Sequence, residues 1–273
     1  MIYVKVGEYM KNCSADALDL KEKIKNFLEK AEKEIIFYNE FSLQHELGIY
    51  LREELGENYI VEFERNVTYF DIKQLEYNED FKKAFENKKQ EFKEKKHISE
   101  EMFDFCKFWD VIISKGNNKE ILKYHSNIKH EIDISIYKKI NGKFIEKYAI
   151  ELKYPTNGQI PERMYEMVRD IKFMQELKNK GFTKTFCLTI VTDDNYYEQK
   201  RKYDGIYEYF RGNERKPLIN EIYKPTGEKN ELIGKKPFIN LKEEAKIEWV
   251  PCKIKSSRYN DKTIDGCYYI IDF

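Results

Sequence analysis

The stretch 128–153 constrains this chain more than any other, because it holds two strand patterns separated by Asn141-Gly142. Apolar and polar residues alternate in the first: Ile132, Ile134 and Ile136 fall on one side, Glu131, Asp133 and Ser135 on the other. A period of two predicts a half-buried strand. The second, Phe144 to Lys153, puts Tyr148, Ile150 and Leu152 on one face and Ala149, Glu151 and Lys153 on the other. Asn-Gly between two such runs is a strong hairpin signal. Any fold this chain adopts must keep these two strands as neighbours.

Their polar faces carry Asp133 with Glu131 beside it, and Glu151 with Lys153 two residues on. Hard divalent cations bind through one or two carboxylates plus phosphate oxygens of a substrate. A lysine beside such an ion can orient or deprotonate a water, or steady phosphate charge, as metal-assisted phosphodiester hydrolysis requires. Turn geometry decides whether these groups meet. A two-residue turn at Asn141-Gly142 would set Asp133 opposite Ile150 and put the two acids on opposite faces. A three-residue loop, Ile140-Asn141-Gly142, with Gly142 in a left-handed bulge, restores a common face. Glu151 would then stand opposite Glu131, with Asp133 diagonal to it.

Asp133 followed eighteen residues later by Glu151-Leu152-Lys153 resembles the PD-(D/E)xK nuclease superfamily, the restriction-endonuclease-like fold. The pattern there is an acid on one strand and (Asp/Glu)-x-Lys on its neighbour. The resemblance implies Asp133 and Glu151 as ligands of Mg²⁺, with Mn²⁺ able to substitute, the Leu152 carbonyl as a third ligand, and Lys153 as the catalytic lysine. The proline that sometimes precedes the first acid is absent, and Ile132 stands there. A helix before the core sheet often carries a further glutamate in that family, and Glu46 is its counterpart in the order of elements. Gln159, just beyond the lysine, and Glu131 are further candidates. The implied function is a DNA endonuclease, with a restriction or phage-defence role and a homodimer as analogies. Three alternatives stay open: an RNA-directed nuclease, a catalytically silent nucleic-acid-binding or scaffold protein, and a metal-independent hydrolase using Glu131 or Asp133 with Glu151.

Composition narrows the classes. Forty-nine basic residues balance 49 acidic ones, which argues against an indiscriminate nucleic-acid coat but not against a local basic groove. Five scattered cysteines and four histidines, with no C-x-x-C pair, give no zinc site and suit a reducing, cytoplasmic setting. No apolar run reaches the length of a membrane span and no leader pattern heads the chain, so a non-membrane protein is expected.

The expected fold is α/β: a restriction-endonuclease-like mixed β-sheet core flanked by helices, about 35–195, within a domain 1–195. A helical insert is expected at about 76–109, and a small β-rich C-terminal extension, 196–273, packed on the same domain. In order, Met1 to Glu8 reads as a short strand or arm. Ser14 caps a helix to about Lys33 with Leu18, Ile24, Phe27, Leu28 and Ala31 as its stripe. Ser42 caps a second helix, ending at Gly56, with Leu43, Leu47, Tyr50, Leu51 and Leu55 buried. Tyr59 to Val67 reads as a strand, and Trp109 to Ser114 as a short one. Pro161 opens a helix with Met164, Met167, Val168, Ile171, Met174 and Leu177 on its packed face, and Gly181 ends it. Thr185 to Val191 is a buried strand. Asp193-Asp194 reads as a strand-to-loop cap, and Lys246 to Ile254 and Cys267 to Phe273 read as strands sealing a sheet edge.

Overall fold

The computed structural model describes residues 18–67, 131–140, 143–156, 158–198, 204–227 and 236–273, with the single residues 87, 90 and 94. The expected arm at 1–8, the Ser14 cap, the strand at 109–114 and turn residues 141 and 142 lie outside these. So does the expected insert at 76–109, except Asn87, Gln90 and Glu94, which are helical.

Helix α1 spans Leu20–Glu34, and Asp19 caps it by accepting from the Glu22 amide. It buries Leu20, Ile24, Phe27, Leu28 and Ala31, a spacing of three and four that puts all five on one face. The two-residue strand β1 (Ile36–Phe37) follows. Helix α2 spans Glu40–Leu55. Its cap is Asn39, not Ser42: the Asn39 side chain accepts from the Ser42 amide while the Ser42 hydroxyl accepts from the Asn39 amide. Both residue types cap well, and the reciprocal pair satisfies two amides at once, which moves the helix start three residues earlier. Gly56, at φ 54°, ends it.

Strands β2 (Ile60–Asn66), β3 (Glu131–Ile140) and β4 (Lys143–Lys153) run antiparallel in turn. Helix α3 (Ile160–Asn179) then crosses over to β5 (Lys184–Val191), which lies parallel to β4. A parallel neighbour needs such a crossover. The short pair β6 (Ile222–Tyr223) and β7 (Phe238–Ile239) stands apart. The chain closes on β8 (Val250–Ser256) and β9 (Lys262–Asp272).

Among the described residues, seven strands form one mixed sheet in the order β1-β8-β9-β5-β4-β3-β2. The last two strands are therefore interior to the sheet. β9 pairs antiparallel with β5 along Phe186–Val191, and β8 carries β1 at the far edge. One apolar cluster packs α1 and α2 against Ile134, Ile136, Tyr148, Ile150, Leu152, Phe186, Leu188 and Ile190. The other packs α3 together with Tyr196, Phe210, Leu218, Ile239 and Ile247 against Tyr137, Ala149, Cys187, Val191 and Tyr269. The protein is thus an α/β structure with a large mixed sheet covered on both faces. Ile132 departs from its strand's pattern: it packs in the second cluster, away from Ile134 and Ile136. The β2–β3 ladder is interrupted beside it, at Glu64.

Helix α2 approaches the sheet closely at Gly48. A Cβ there would stand 2.0 Å from Phe63 Cε1, and the Phe63 ring is itself held beneath Arg52 at 4.8 Å. Gly48→Ala is expected to cost about 1–3 kcal/mol by overpacking. In chemical denaturation, Phe63→Leu should recover part of that loss in the double variant, because the two side chains compete for one space. Strictly additive losses would mean that α2 and β2 do not bear on each other there.

Candidate functional site

The register between β3 and β4 decides which side chains meet. Next to the turn, Ile140 pairs with Lys143 and Lys139 with Phe144, leaving two residues for the turn itself. Two residues further into β3, Lys138 pairs with Glu146, so Ile145 is an extra residue on β4. This bulge shifts the ladder by one and gives Ile134↔Ile150. Continued one step, the register sets Asp133 opposite Glu151. The expected common face is therefore reached by another route. The turn has the two-residue register that alone would have separated the acids, and a bulge inside the strand, with Ile145 left half-exposed, restores them. Glu131 pairs with Asn66 across β2 and is exposed at the strand end.

Asp133 Oδ2 accepts from the Leu152 amide at 2.7 Å, which ties the acid to the neighbouring strand. The Leu152 side chain points into the opposite core layer. Glu151 is 5% exposed, and its Oε2 has no hydrogen-bond partner among the described residues. On β5, Cys187 stands beside Glu151 and Thr189 beside Lys153. Lys153 Nζ lies 3.2 Å from Glu40 Oε1 and 3.6 Å from Asp170 Oδ2. Glu40 reaches in from the first turn of α2, and its Oε2 accepts from the Tyr154 amide at 2.9 Å. Asp170 hangs from α3 and is 7% exposed.

Glu64 closes the cluster from β2. It holds a left-handed backbone at φ 50°, a costly conformation for a residue with a side chain. The β2–β3 pairs run on either side of it, Phe63↔Ile134 and Arg65↔Ile132, and skip it. The buried Gln44 fills the break: its Nε2 donates to Glu64 Oε1 at 2.5 Å and to the Asp133 carbonyl at 2.8 Å. Arg65, a candidate phosphate contact by sequence, forks onto Glu62 instead.

Of the sequence candidates, Asp133, Glu151, Leu152 and Lys153 are brought together. Glu46 is not: it is half-buried on α2 and makes no hydrogen bond or ion pair among the described residues. Gln159 is the exposed residue before α3, and its side chain makes no cap. The acids that the sequence did not single out are Glu40, Glu64 and Asp170. Asp170 left a trace, since it falls between Met167 and Met174 on an otherwise apolar helix face. A charge in such a stripe needs a partner.

The electrostatics follow from burial and crowding. Burial raises the Asp133 carboxyl to about 7, and the charges of Glu40 and Glu64 push the same way; the Leu152 amide and Lys153 oppose them. Glu151 is raised well above the carboxylate range by burial, then by Asp133 and Asp170. Burial alone would lower Lys153, but Asp170, Glu40 and Glu151 outweigh it, so the ammonium is held charged. Lys153 is therefore a donor and a fixed positive charge, and cannot accept a proton near neutrality.

Among the described residues, no three His, Cys, Asp or Glu side chains are grouped so as to hold a metal ion by themselves. None of the described helices is long and apolar enough to cross a membrane. Comparisons with protein-family models, curated proteins and solved structures give no match.

The raised Asp133 sets the sign of a pH effect. Its folded pKa of about 7 lies above the unfolded carboxylate value, so the folded state holds the extra proton. That contribution is full below the unfolded value and is lost as pH rises through about 7. In chelator, the thermal midpoint should fall between pH 5 and pH 8, and Asp133→Asn should flatten the fall. An unchanged slope in Asp133→Asn would mean that Asp133 titrates normally.

Proposed function

We propose that this chain is a divalent-cation-dependent nuclease that hydrolyses phosphodiester bonds in DNA. One observation carries the reading: the β3–β4 register, continued one step past Ile134↔Ile150, sets Asp133 opposite Glu151, with the charged Lys153 beside them and a buried Glu151 oxygen that has no hydrogen-bond partner among the described residues. Two buried carboxylates, both raised by burial and one raised further by the other, are what a cation relieves.

The residues fit Mg²⁺, with Mn²⁺ as a substitute. Asp133 and Glu151 would hold the ion with the Leu152 carbonyl, and the remaining positions would go to water and substrate oxygens, as is usual for an ion that keeps several waters. When bound, the ion supplies neutralisation of phosphate charge and a more acidic water.

The other groups act by position. Lys153 donates to a non-bridging phosphate oxygen or to the attacking water, and Glu40 and Asp170 aim its ammonium. Glu40 also fixes the start of the loop after β4 through the Tyr154 amide. Gln44 and Glu64 hold the Asp133 backbone in place. Two large aromatics flank Glu40 on the surface, Tyr38 at 62% exposure and Phe41 at 67%. Exposed aromatics beside a phosphate-handling site suit stacking on bases. A restriction or phage-defence role, and a homodimer cutting both strands, rest on family resemblance alone.

Supercoiled plasmid with Mg²⁺ or Mn²⁺ tests the reading. The expected result is cutting abolished by chelator and reduced about 100-fold or more in Asp133→Ala and Lys153→Ala. Glu40→Ala should fall about tenfold or more, in the range for losing a positioning contact, while Glu46→Ala stays close to wild type. Cutting that survives both Asp133→Ala and Lys153→Ala would overturn the site. Saturable DNA binding with no cutting of any substrate would favour a silent binding protein.

A further inference from the structure

A second concavity opens at the C-terminal ends of the parallel pair β4 and β5. Its volume is about 640 Å³, within the roughly 300–1,000 Å³ typical of small-molecule sites. The crevice outside the carboxyl ends of parallel strands is a general place for ligands in α/β sheets. The wall from β4 begins with Pro155 and Thr156, directly after Lys153-Tyr154; the wall from β5 is Thr192, Asp193 and Asp194. Thr189 is the register partner of Lys153, and Thr192 lies three residues beyond it. Three strand residues span about 10 Å, the length of about three stacked nucleotides.

The chemistry of the lining is specific. It holds Tyr196, Tyr197 and Tyr259 with Asp193, Asp194 and Asp265, and no lysine or arginine lines it among the described residues. The three carboxylates disfavour a phosphate there. Tyr196 is 3% exposed, and its hydroxyl has no hydrogen-bond partner among the described residues. Burial and the charge of Asp193 raise that phenol to about 12, so it stays an O–H near neutrality. Tyr259 keeps a free face at 39% exposure on the turn between β8 and β9. The Asp265 carboxylate makes no hydrogen bond or ion pair among the described residues. Arg163, which lies against Gly158 on the pocket wall, also feels the charge of Glu40, which links the pocket to the acid–lysine cluster.

We propose that this pocket receives a nucleobase bearing an exocyclic amino group, unstacked from the nucleic acid whose backbone lies at Asp133, Glu151 and Lys153. The inference rests on the nuclease reading and adds a base-reading subsite to it. The base stacks on Tyr259, its amino group donates to Asp265, and the Tyr196 hydroxyl meets a ring nitrogen or carbonyl. Carboxylates accept from base amino groups, and aromatic rings hold unstacked bases through their faces. Thymine has no amino group, so the pocket discriminates against it.

The test uses the full chain and free nucleosides, with tyrosine fluorescence and NMR shifts as readouts and no cleavage required. Deoxycytidine and deoxyadenosine should bind saturably, with thymidine at least tenfold weaker. Asp265→Asn should erase that preference. Tyr259→Ala, with its fold checked by circular dichroism, should weaken all three nucleosides about tenfold, while Lys153→Ala leaves them unchanged. No saturable nucleoside binding, equal binding of thymidine, or binding of glucose in their place would overturn the proposal. Nucleoside binding without nucleic-acid cleavage by the wild type would sink the nuclease reading and leave the base site standing. Cleavage without nucleoside binding would do the reverse.

Discussion

The register of one strand pair underlies the rest of the site. Side chains on β3 and β4 alternate with a period of two, so a slip of one residue would turn Glu151 and Lys153 into the layer occupied by Leu152 and Ile150. The extra residue, Ile145, sets the slip that puts Asp133 and Glu151 on the same face. It does so outside the core, where the bulged side chain meets solvent and disturbs no packing. The core residues on either side, Ile134 opposite Ile150 and Ile136 opposite Tyr148, then hold the register. Apolar packing on one face of the sheet thus fixes the geometry of the charged groups on the other.

Those charged groups are crowded and dry. Lys153 is ringed by Glu40, Glu151 and Asp170, and Asp133 feels both Glu40 and Glu64. Burying carboxylates without matching positive charge costs free energy, which appears as the raised pKa values of Asp133 and Glu151. The left-handed Glu64 and the break in the β2–β3 ladder add to this cost. Strain and desolvation concentrated at one spot of a well-packed sheet are more typical of functional sites than of scaffold.

The rest of the chain supplies the frame. The β8–β9 hairpin joins the sheet beside β5, so β5 is paired on both sides and buried along nearly its whole length. Helix α3 covers one face and carries Asp170 down to Lys153. Helix α2 covers the other and turns its first residue, Glu40, around the end of the sheet to the same lysine. The two helices thus grip Lys153 from opposite layers, and the loop after β4 leads into the second pocket.

The sequence determined what local periodicity can encode. The alternation at 131–136 and 144–153, the apolar stripes of the helices and the run at 185–191 each record burial in their own spacing. The polar-face positions of Asp133, Glu151 and Lys153 on their own strands were legible for that reason, while the bulge at Ile145 that brings them together was not. Ile132 misled, because its layer is set by the ladder break at Glu64 and Gln44, which lie far away in the chain. Glu40, Glu64 and Asp170 were not singled out, because each comes from a different element and only packing brings them together. Glu46 has the right order of elements, but it stands six residues along α2 from Glu40, where the helix has turned to another side. The place of β8 and β9 within the sheet was likewise decided by tertiary structure. A strand's pattern reports that it has a buried face, while its neighbour is chosen by long-range pairing that no local spacing records.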